Sequence, residues 1–160
     1  MIRLKSKAIR SLDLVVLRHG EAESYAGSDS QRALTERCRS QAQHQAQLLS
    51  EQGFSPEQII HSPYLRTRQT ADICHKTFPD ALLKTHSGLL HSADVTGIPF
   101  MLDQQASVLM VSHMPLVARI VHLFCPGVDI YGFNVAGFVR MTVDLRDYTA
   151  VITHDATQGV

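Results

Sequence analysis

The stretch LDLVVLRHG, residues 12–20, decides the fold. Residues 12–17 are nearly all apolar and rich in Val and Leu, which is typical of a strand buried in a parallel sheet. Gly20 ends this run, and a polar loop follows. Ligand sites of open α/β sheets lie beyond the carboxyl ends of the strands. Arg18 and His19, which follow the strand directly, are therefore placed where a site is expected.

The rest of the chain alternates predicted strands with predicted helices, which favours an α/β fold. Further strands are predicted at residues 59–61, 81–84, 108–111, 138–145 and 150–153, and helices at 36–52, 63–75, 97–105 (beginning near Pro99) and 115–124. We expect Thr35 to cap the first helix, and Ser62 to cap the second with Pro63 as its first residue. The expected architecture is a three-layer sandwich: a mostly parallel central sheet with an antiparallel edge strand, and helices on both faces.

Composition indicates one globular domain over residues 1–160, of which 1–11 form a basic extension. Lys plus Arg total 15 and Asp plus Glu total 15, so the zero net charge argues against nucleic acid or a membrane as a partner. The basic start has no apolar core typical of a secretory signal, and no apolar run approaches a transmembrane helix. The 3 cysteines form no Cys-x-x-Cys pair, so we expect reduced thiols in a cytoplasmic protein.

Polar side chains follow three of the predicted buried strands. Arg18 and His19 follow the first, Ser62 with Arg66 the second, and His113 the third. Arginine forks match phosphate oxygens, and a neutral histidine can attack phosphorus while a second histidine donates to a phosphoryl oxygen. If arginines supply the positive charge, the reaction needs neither a metal nor a cofactor. The residues alone do not decide which histidine is the nucleophile.

Three motifs carry a family resemblance. The motifs are LRHGE (residues 17–21), SPYLRTRQTA (62–71) and VSHMPLV (111–117). They resemble, in the same order, the signatures of the histidine phosphatase (phosphoglycerate-mutase-like) superfamily. Their sequences are most similar to those of SixA-type phosphohistidine phosphatases. The segment from Arg32 to Thr35 also matches the family's helix-opening segment, and the resemblance extends from about Leu14 to Val143. One motif alone is weak evidence, whereas three in order at the family's spacing are specific.

The resemblance implies the roles of the site residues. His19 would take the phosphoryl group as a covalent phosphohistidine, which water then hydrolyses. Arg18, Arg66 and His113 would bind the transferring phosphoryl group. Glu21 is counted with them as a candidate substrate-binding residue. Two other roles for Glu21, a solvated position in the loop or pairing with a nearby arginine, are equal alternatives. Phosphate and other oxyanions are the ligands expected in such a site.

A missing residue favours one substrate class. Many family members that cleave phosphate esters use a Glu as the general acid, and no Glu occurs here after Glu57. A phosphoramidate protonated on its ring expels imidazole with less help than an ester needs, although His91 and Asp94 are alternatives for the acid. The short chain also leaves little room for a roof over the site, which suits a protein substrate. We therefore expect a metal-independent phosphatase for a phosphohistidine on a phosphotransfer or phosphocarrier protein. A small-molecule phosphomonoesterase and a non-catalytic phosphoprotein-binding module are the alternatives.

Overall fold

Strands and helices alternate through residues 8–160, the part of the chain that the computed structural model describes. The strands are β1 (Ser11–Arg18), β2 (Gln58–His61), β3 (Leu82–Thr85), β4 (Ser107–Ser112), β5 (Phe138–Asp144) and β6 (Thr149–Ala156), and the helices are α1 (Glu36–Glu51), α2 (Leu65–Thr77), α3 (Ile98–Leu102) and α4 (Leu116–Phe124). Short 3₁₀ turns lie at Asp29–Gln31, Ser87–Leu89 and Val95–Gly97.

One sheet holds these strands in the order β3-β2-β4-β1-β5-β6. Strands β1, β2, β3 and β4 are parallel to one another, whereas β5 runs antiparallel to β1 and forms a hairpin with β6. The expectation of a mostly parallel sheet with an antiparallel edge is confirmed. The carboxyl ends of β1, β2 and β4 consequently meet at the same edge of the sheet.

Strand β1 is covered on both faces, which explains its continuous apolar sequence. Leu14 and Val16 pack in one core cluster, which also holds the buried apolar side chains of α3 and α4. Val15 and Leu17 point to the opposite cluster, which holds Ala46 and Leu49 of α1 and Ala71 and Cys74 of α2. The sheet is thus the middle layer of a three-layer sandwich, as predicted.

The start of α2 differs from the prediction. Its first residue is Leu65 and its N-cap is Tyr64, so the assignment of Ser62 as the cap was wrong. The hydroxyl of Ser62 instead lies 2.6 Å from His113 Nε2 and 2.7 Å from Thr67 Oγ1. By contrast, α1 begins as predicted, with Thr35 Oγ1 accepting a hydrogen bond from a backbone N–H of the first turn.

Other element boundaries shift by a few residues. Helix α3 ends at Leu102 rather than near residue 105, since Asp103 leaves the helical region with ψ of 131° and Gln104 then adopts a left-handed conformation with φ of 59°. Strand β6 extends to Ala156 because β5 pairs with it along its whole length. Strand β1 begins at Ser11, inside the predicted extension 1–11, whose residues 1–7 lie outside the described part. Within residues 8–160, every helix is too short or too polar to cross a membrane.

We predict that Gly20→Ala destabilises the fold. A Cβ at this position would lie 2.8 Å from Cys38 Cβ and 3.2 Å from Leu34 Cδ2, and both neighbours belong to the packed interior. Overpacking of this kind costs about 1–3 kcal/mol in the free energy of unfolding. The matched control is Gly97→Ala, where an added Cβ meets nothing within 4 Å. Urea unfolding checks both variants, and equal stability of the two would contradict the prediction.

Candidate active site

The carboxyl edge of the sheet brings the predicted residues together. Arg18 is paired with Ser112 across β1 and β4. His19 follows Arg18 and His113 follows Ser112, so the two histidines lie side by side. The ring centroids of His19 and His113 are 5.1 Å apart. Arg66 reaches the same place from the first turn of α2, and its Nε lies 3.3 Å from His19 Nε2. These groups line a pocket of about 290 Å³ formed by Arg18, His19, Asp29, Arg32, Arg66, His91, His113 and Met114.

The hydrogen bonds of His19 fix which of its ring nitrogens carries the proton. Nδ1 lies 2.5 Å from the carbonyl oxygen of Gly20. Because a carbonyl only accepts, Nδ1 carries the hydrogen. Nε2 is then an acceptor, which agrees with its position opposite the donating Nε of Arg66. The lone pair of His19 Nε2 therefore faces the pocket.

Burial and positive charge keep both rings unprotonated. The pKa of His19 is lowered to about 4, mainly by burial and then by the positive charges of the pocket arginines, of which Arg66 has the largest effect. The hydrogen bond to the Gly20 carbonyl opposes this change. The pKa of His113 falls to about 3, mainly through burial and then through the neighbouring charges of His19 and Arg66. Only 8% of His19 and 2% of His113 are exposed. Both rings are consequently neutral at pH 7.

A chain of hydroxyl groups orients His113. Its Nε2 lies 2.6 Å from Ser62 Oγ, which lies 2.7 Å from Thr67 Oγ1, which in turn lies 2.7 Å from the carbonyl oxygen of Tyr64. The carbonyl at the end only accepts, so Thr67 donates to it, Ser62 donates to Thr67, and His113 Nε2–H donates to Ser62. Nδ1 of His113 is buried and has no hydrogen-bond partner within residues 8–160. It is the nitrogen of this ring that remains for a bound group.

Arginine side chains dominate the charge of the pocket. Arg66 donates to the backbone oxygen of Asp29 at 2.8 Å and to its carboxylate at 3.3 Å, and Arg32 donates to the same carboxylate at 2.9 Å. The hydrogen bond from Arg32 is the main cause that lowers the pKa of Asp29. Arg18 donates to the Phe133 carbonyl at 2.6 Å, and its buried Nε is unpaired among the described residues. The pocket lining thus holds three guanidinium groups and one carboxylate, and this excess of positive charge suits an oxyanion.

Glu21 is not brought into this pocket. Its side chain is exposed, its backbone N–H lies 2.6 Å from Cys38 Sγ, and its carboxylate lies 3.8 Å from the same sulfur. The geometry thus gives no support to Glu21 as a substrate-binding residue. Conversely, the sequence reasoning missed Asp29 and Met114, and it took Arg32 only as part of a helix-opening segment. In the described chain, no group of three or more His, Cys, Asp or Glu side chains is arranged to hold a metal ion.

Comparison with known proteins decides the family. Residues 14–90 match the sequence model of the histidine phosphatase superfamily (branch 1). The chain is 34% identical over 124 residues to a phosphohistidine phosphatase SixA homolog of Haemophilus influenzae, and the match covers 69% of this chain and 75% of that protein. The chain belongs to the histidine phosphatase superfamily. The predicted membership of this superfamily, as a SixA-type phosphatase, is confirmed.

Two further relatives agree with this membership. This histidine phosphatase is 29% identical over 146 residues to phosphohistidine phosphatase SixA of Escherichia coli (strain K12), covering 83% of this chain and 86% of the relative. A solved structure of the protein histidine phosphatase SixA complexed with tungstate has a TM-score of 0.85 and 27% identity, and it covers 91% of this chain and 97% of its own. Tungstate is an oxyanion, bound in that protein.

We predict that the two pocket histidines titrate far below the ordinary value of 6.5. In the free enzyme, the imidazole signals of His19 and His113 should shift with midpoints near pH 4 and pH 3, respectively. Burial and the nearby arginines both disfavour the protonated, positively charged form of each ring. A titration by nuclear magnetic resonance measures the midpoints, and His19→Gln assigns the signal of His19. A His19 midpoint near 6.5 would contradict this electrostatic picture.

Proposed function

We propose that this histidine phosphatase is a metal-independent protein phosphohistidine phosphatase. It acts in the cytoplasm on a histidine phosphotransfer or phosphocarrier protein, through a covalent phosphohistidine at His19. The observation that carries the proposal is the unprotonated Nε2 of His19, held in a pocket beside three arginines. The names of the SixA relatives point to the same substrate class.

In the first step, the lone pair of His19 Nε2 attacks phosphorus. The bond between phosphorus and the substrate's ring nitrogen breaks, and its electron pair stays on the departing ring, which leaves as neutral imidazole because its other nitrogen carries a proton. Arg18 and Arg66 hold the phosphoryl oxygens with charge-assisted hydrogen bonds. Nδ1 of His113 donates to the same group once the bound anion has brought a proton onto that nitrogen, because an unprotonated ring nitrogen has no hydrogen to donate. The carbonyl of Gly20 stabilises the positive charge that develops on the ring of His19, because it keeps the hydrogen bond to Nδ1–H.

In the second step, water attacks phospho-His19. The bond between phosphorus and Nε2 breaks, and its electron pair returns to Nε2. The ring leaves as a neutral imidazole that still carries hydrogen on Nδ1, so it needs no further proton to be a good leaving group. Phosphate departs, and His19 is restored in the same protonation state in which it began.

The arginines supply the positive charge that metal ions supply in many phosphoryl-transfer enzymes. Arg66 is 6% exposed, and in this structure its donors are engaged by Asp29 and His19. An entering phosphoryl group competes with Asp29 and with His19 Nε2 for these donors, and by taking over the Nε–H of Arg66 it frees the lone pair of His19. Since a phosphoryl group offers several anionic oxygens, it satisfies Arg66 and Arg18 together, which one carboxylate does not.

The mouth of the pocket suits a protein-borne substrate. The floor consists of the buried His19, Arg66 and His113, whereas the side chains of Asp29 and Arg32 at the rim are 51% and 33% exposed. A phosphohistidine side chain projecting from a folded domain reaches such a floor without enclosure. The absence of any Glu after Glu57 removes the residue that esterases of this family use as general acid.

The test is phosphate release from a phosphohistidine-bearing phosphotransfer domain, measured beside an alkyl phosphate monoester, with a chelator in both reactions. We expect fast release from the domain, slow release from the ester, and no effect of the chelator. His19→Ala should abolish release. Faster turnover of the ester would favour a small-molecule phosphomonoesterase, and phosphate binding without any turnover would favour a binding module.

We also predict that Arg66→Lys lowers kcat/KM about 10²- to 10³-fold, because a point charge does not replace a planar fork that holds two oxygens. The matched control is Arg68→Lys, since Arg68 lies on the same helix but is exposed and outside the pocket. The control should retain activity within about twofold, as expected for a surface change. Steady-state kinetics with the phosphorylated domain measure both variants, and equal losses in the two would refute the role of Arg66.

A further inference from the structure

His91 lines the pocket, yet the mechanism above gives it no task. Its ring lies 5.9 Å from that of His113 and 5.9 Å from that of Tyr64, and the Tyr64 ring lies 5.2 Å from His113. His91 is half-buried, unlike the fully buried His113. It therefore stands at the pocket wall between the catalytic floor and solvent.

Asp94, the other acid that the sequence offers in this region, is excluded by its position. Its carboxylate accepts hydrogen bonds from the backbone N–H and the hydroxyl of Thr96, at 3.0 Å and 2.9 Å, and it caps a 3₁₀ turn. The side chain is exposed and does not line the pocket. These hydrogen bonds lower the pKa of Asp94, which opposes proton donation.

The direction of attack locates the departing group. In an in-line displacement, the leaving group lies opposite the nucleophile, so the leaving imidazole lies away from His19 Nε2. The ring centroid of His113 lies 5.1 Å from that of His19 and 5.9 Å from that of His91. Tyr64 and His91 both adjoin His113, and His91 also lines the pocket, so a group that departs along this wall meets them.

The chemistry of a phosphoramidate decides where an acid must stand. An ester needs a proton on the bridging oxygen, which is bonded to phosphorus. A phosphohistidine ring instead needs its proton on the other ring nitrogen, which faces away from phosphorus, because only then does the ring leave as neutral imidazole. The acid must therefore lie farther from phosphorus than in an esterase, by about the width of the imidazole ring. A half-buried histidine at the wall fits this position, and histidine is the side chain best suited to exchange a proton near neutral pH.

We propose that His91 is the catalytic acid that protonates the distal nitrogen of the departing imidazole, while the Tyr64 ring forms a wall for that imidazole. This inference rests on the proposed function. In the first step His91–H⁺ gives its proton to the ring as the phosphorus–nitrogen bond breaks, and neutral imidazole departs. In the second step neutral His91 accepts a proton from the water that attacks phospho-His19, which restores its starting state.

The test compares His91→Gln with the wild type on two leaving groups of the same shape. Phosphoimidazole needs a proton to leave, whereas 1-methyl-3-phosphoimidazolium carries a permanent charge and needs none. Single-turnover rates are measured against pH, from the acid range in which free phosphoimidazole is itself protonated up to the neutral range in which it must take its proton from the enzyme. We expect His91→Gln to lose about 10- to 100-fold on phosphoimidazole, within the lower range for general acids, and at most about twofold on the methylated compound. Asp94→Asn, the matched control, keeps the cap of the turn and should match the wild type on both.

Equal losses of His91→Gln on the two compounds would overturn the proposal, because His91 would then only shape the pocket. Unchanged rates on both compounds would also overturn it. 2,4-Dinitrophenyl phosphate, which also departs without a proton, serves as a second comparator if the methyl group hinders binding. Failure of the proposed function is a separate result. It would appear as an inert wild type on the phosphorylated domain, whereas failure of this inference appears only in the ratio of variant to wild type.

Discussion

The parallel pairing of β1 with β4 is the constraint on which the site depends. The register sets Leu17 beside Val111 and Arg18 beside Ser112, and the backbone N–H of His19 continues the ladder to the carbonyl of Ser112 at 3.0 Å. A slip of one residue would turn every β1 side chain to the opposite core cluster. The apolar packing that holds the sandwich together thereby also fixes the two pocket histidines side by side.

Burial of this histidine pair serves two purposes at once. A buried environment raises the cost of protonating His19, so its Nε2 keeps the lone pair with which, in the proposed mechanism, it attacks phosphorus. The same environment strengthens the attraction between the arginines and a phosphoryl group, because fewer water molecules screen the charges. Asp29 partly offsets this excess of positive charge before a ligand enters, through its contacts with Arg66 and Arg32. The pocket is thus prepared for an anion and for a neutral nucleophile together.

Local sequence predicted the strands, most helices and the convergence of the motif residues, because buried strands and caps leave patterns within a few positions. It failed where long-range contacts compete with local ones. Ser62 has the sequence of a helix cap, but its hydroxyl is taken by His113, 51 residues away. Asp29 reaches Arg66 across 37 residues of chain, and nothing in its polar loop indicates this. Glu21 follows a motif closely, yet its side chain is exposed beside Cys38 rather than in the pocket.

The central claim is that phosphoryl transfer passes through His19, and capture of the phosphorylated enzyme tests it most directly. The enzyme is mixed with a phosphohistidine domain, quenched in alkali within milliseconds, and the modified peptide is identified by mass spectrometry. The account predicts a phosphoryl group on His19 that forms before free phosphate appears and decays as phosphate is released. Turnover without any phosphoenzyme, or a phosphoryl group on His113 instead, would contradict it.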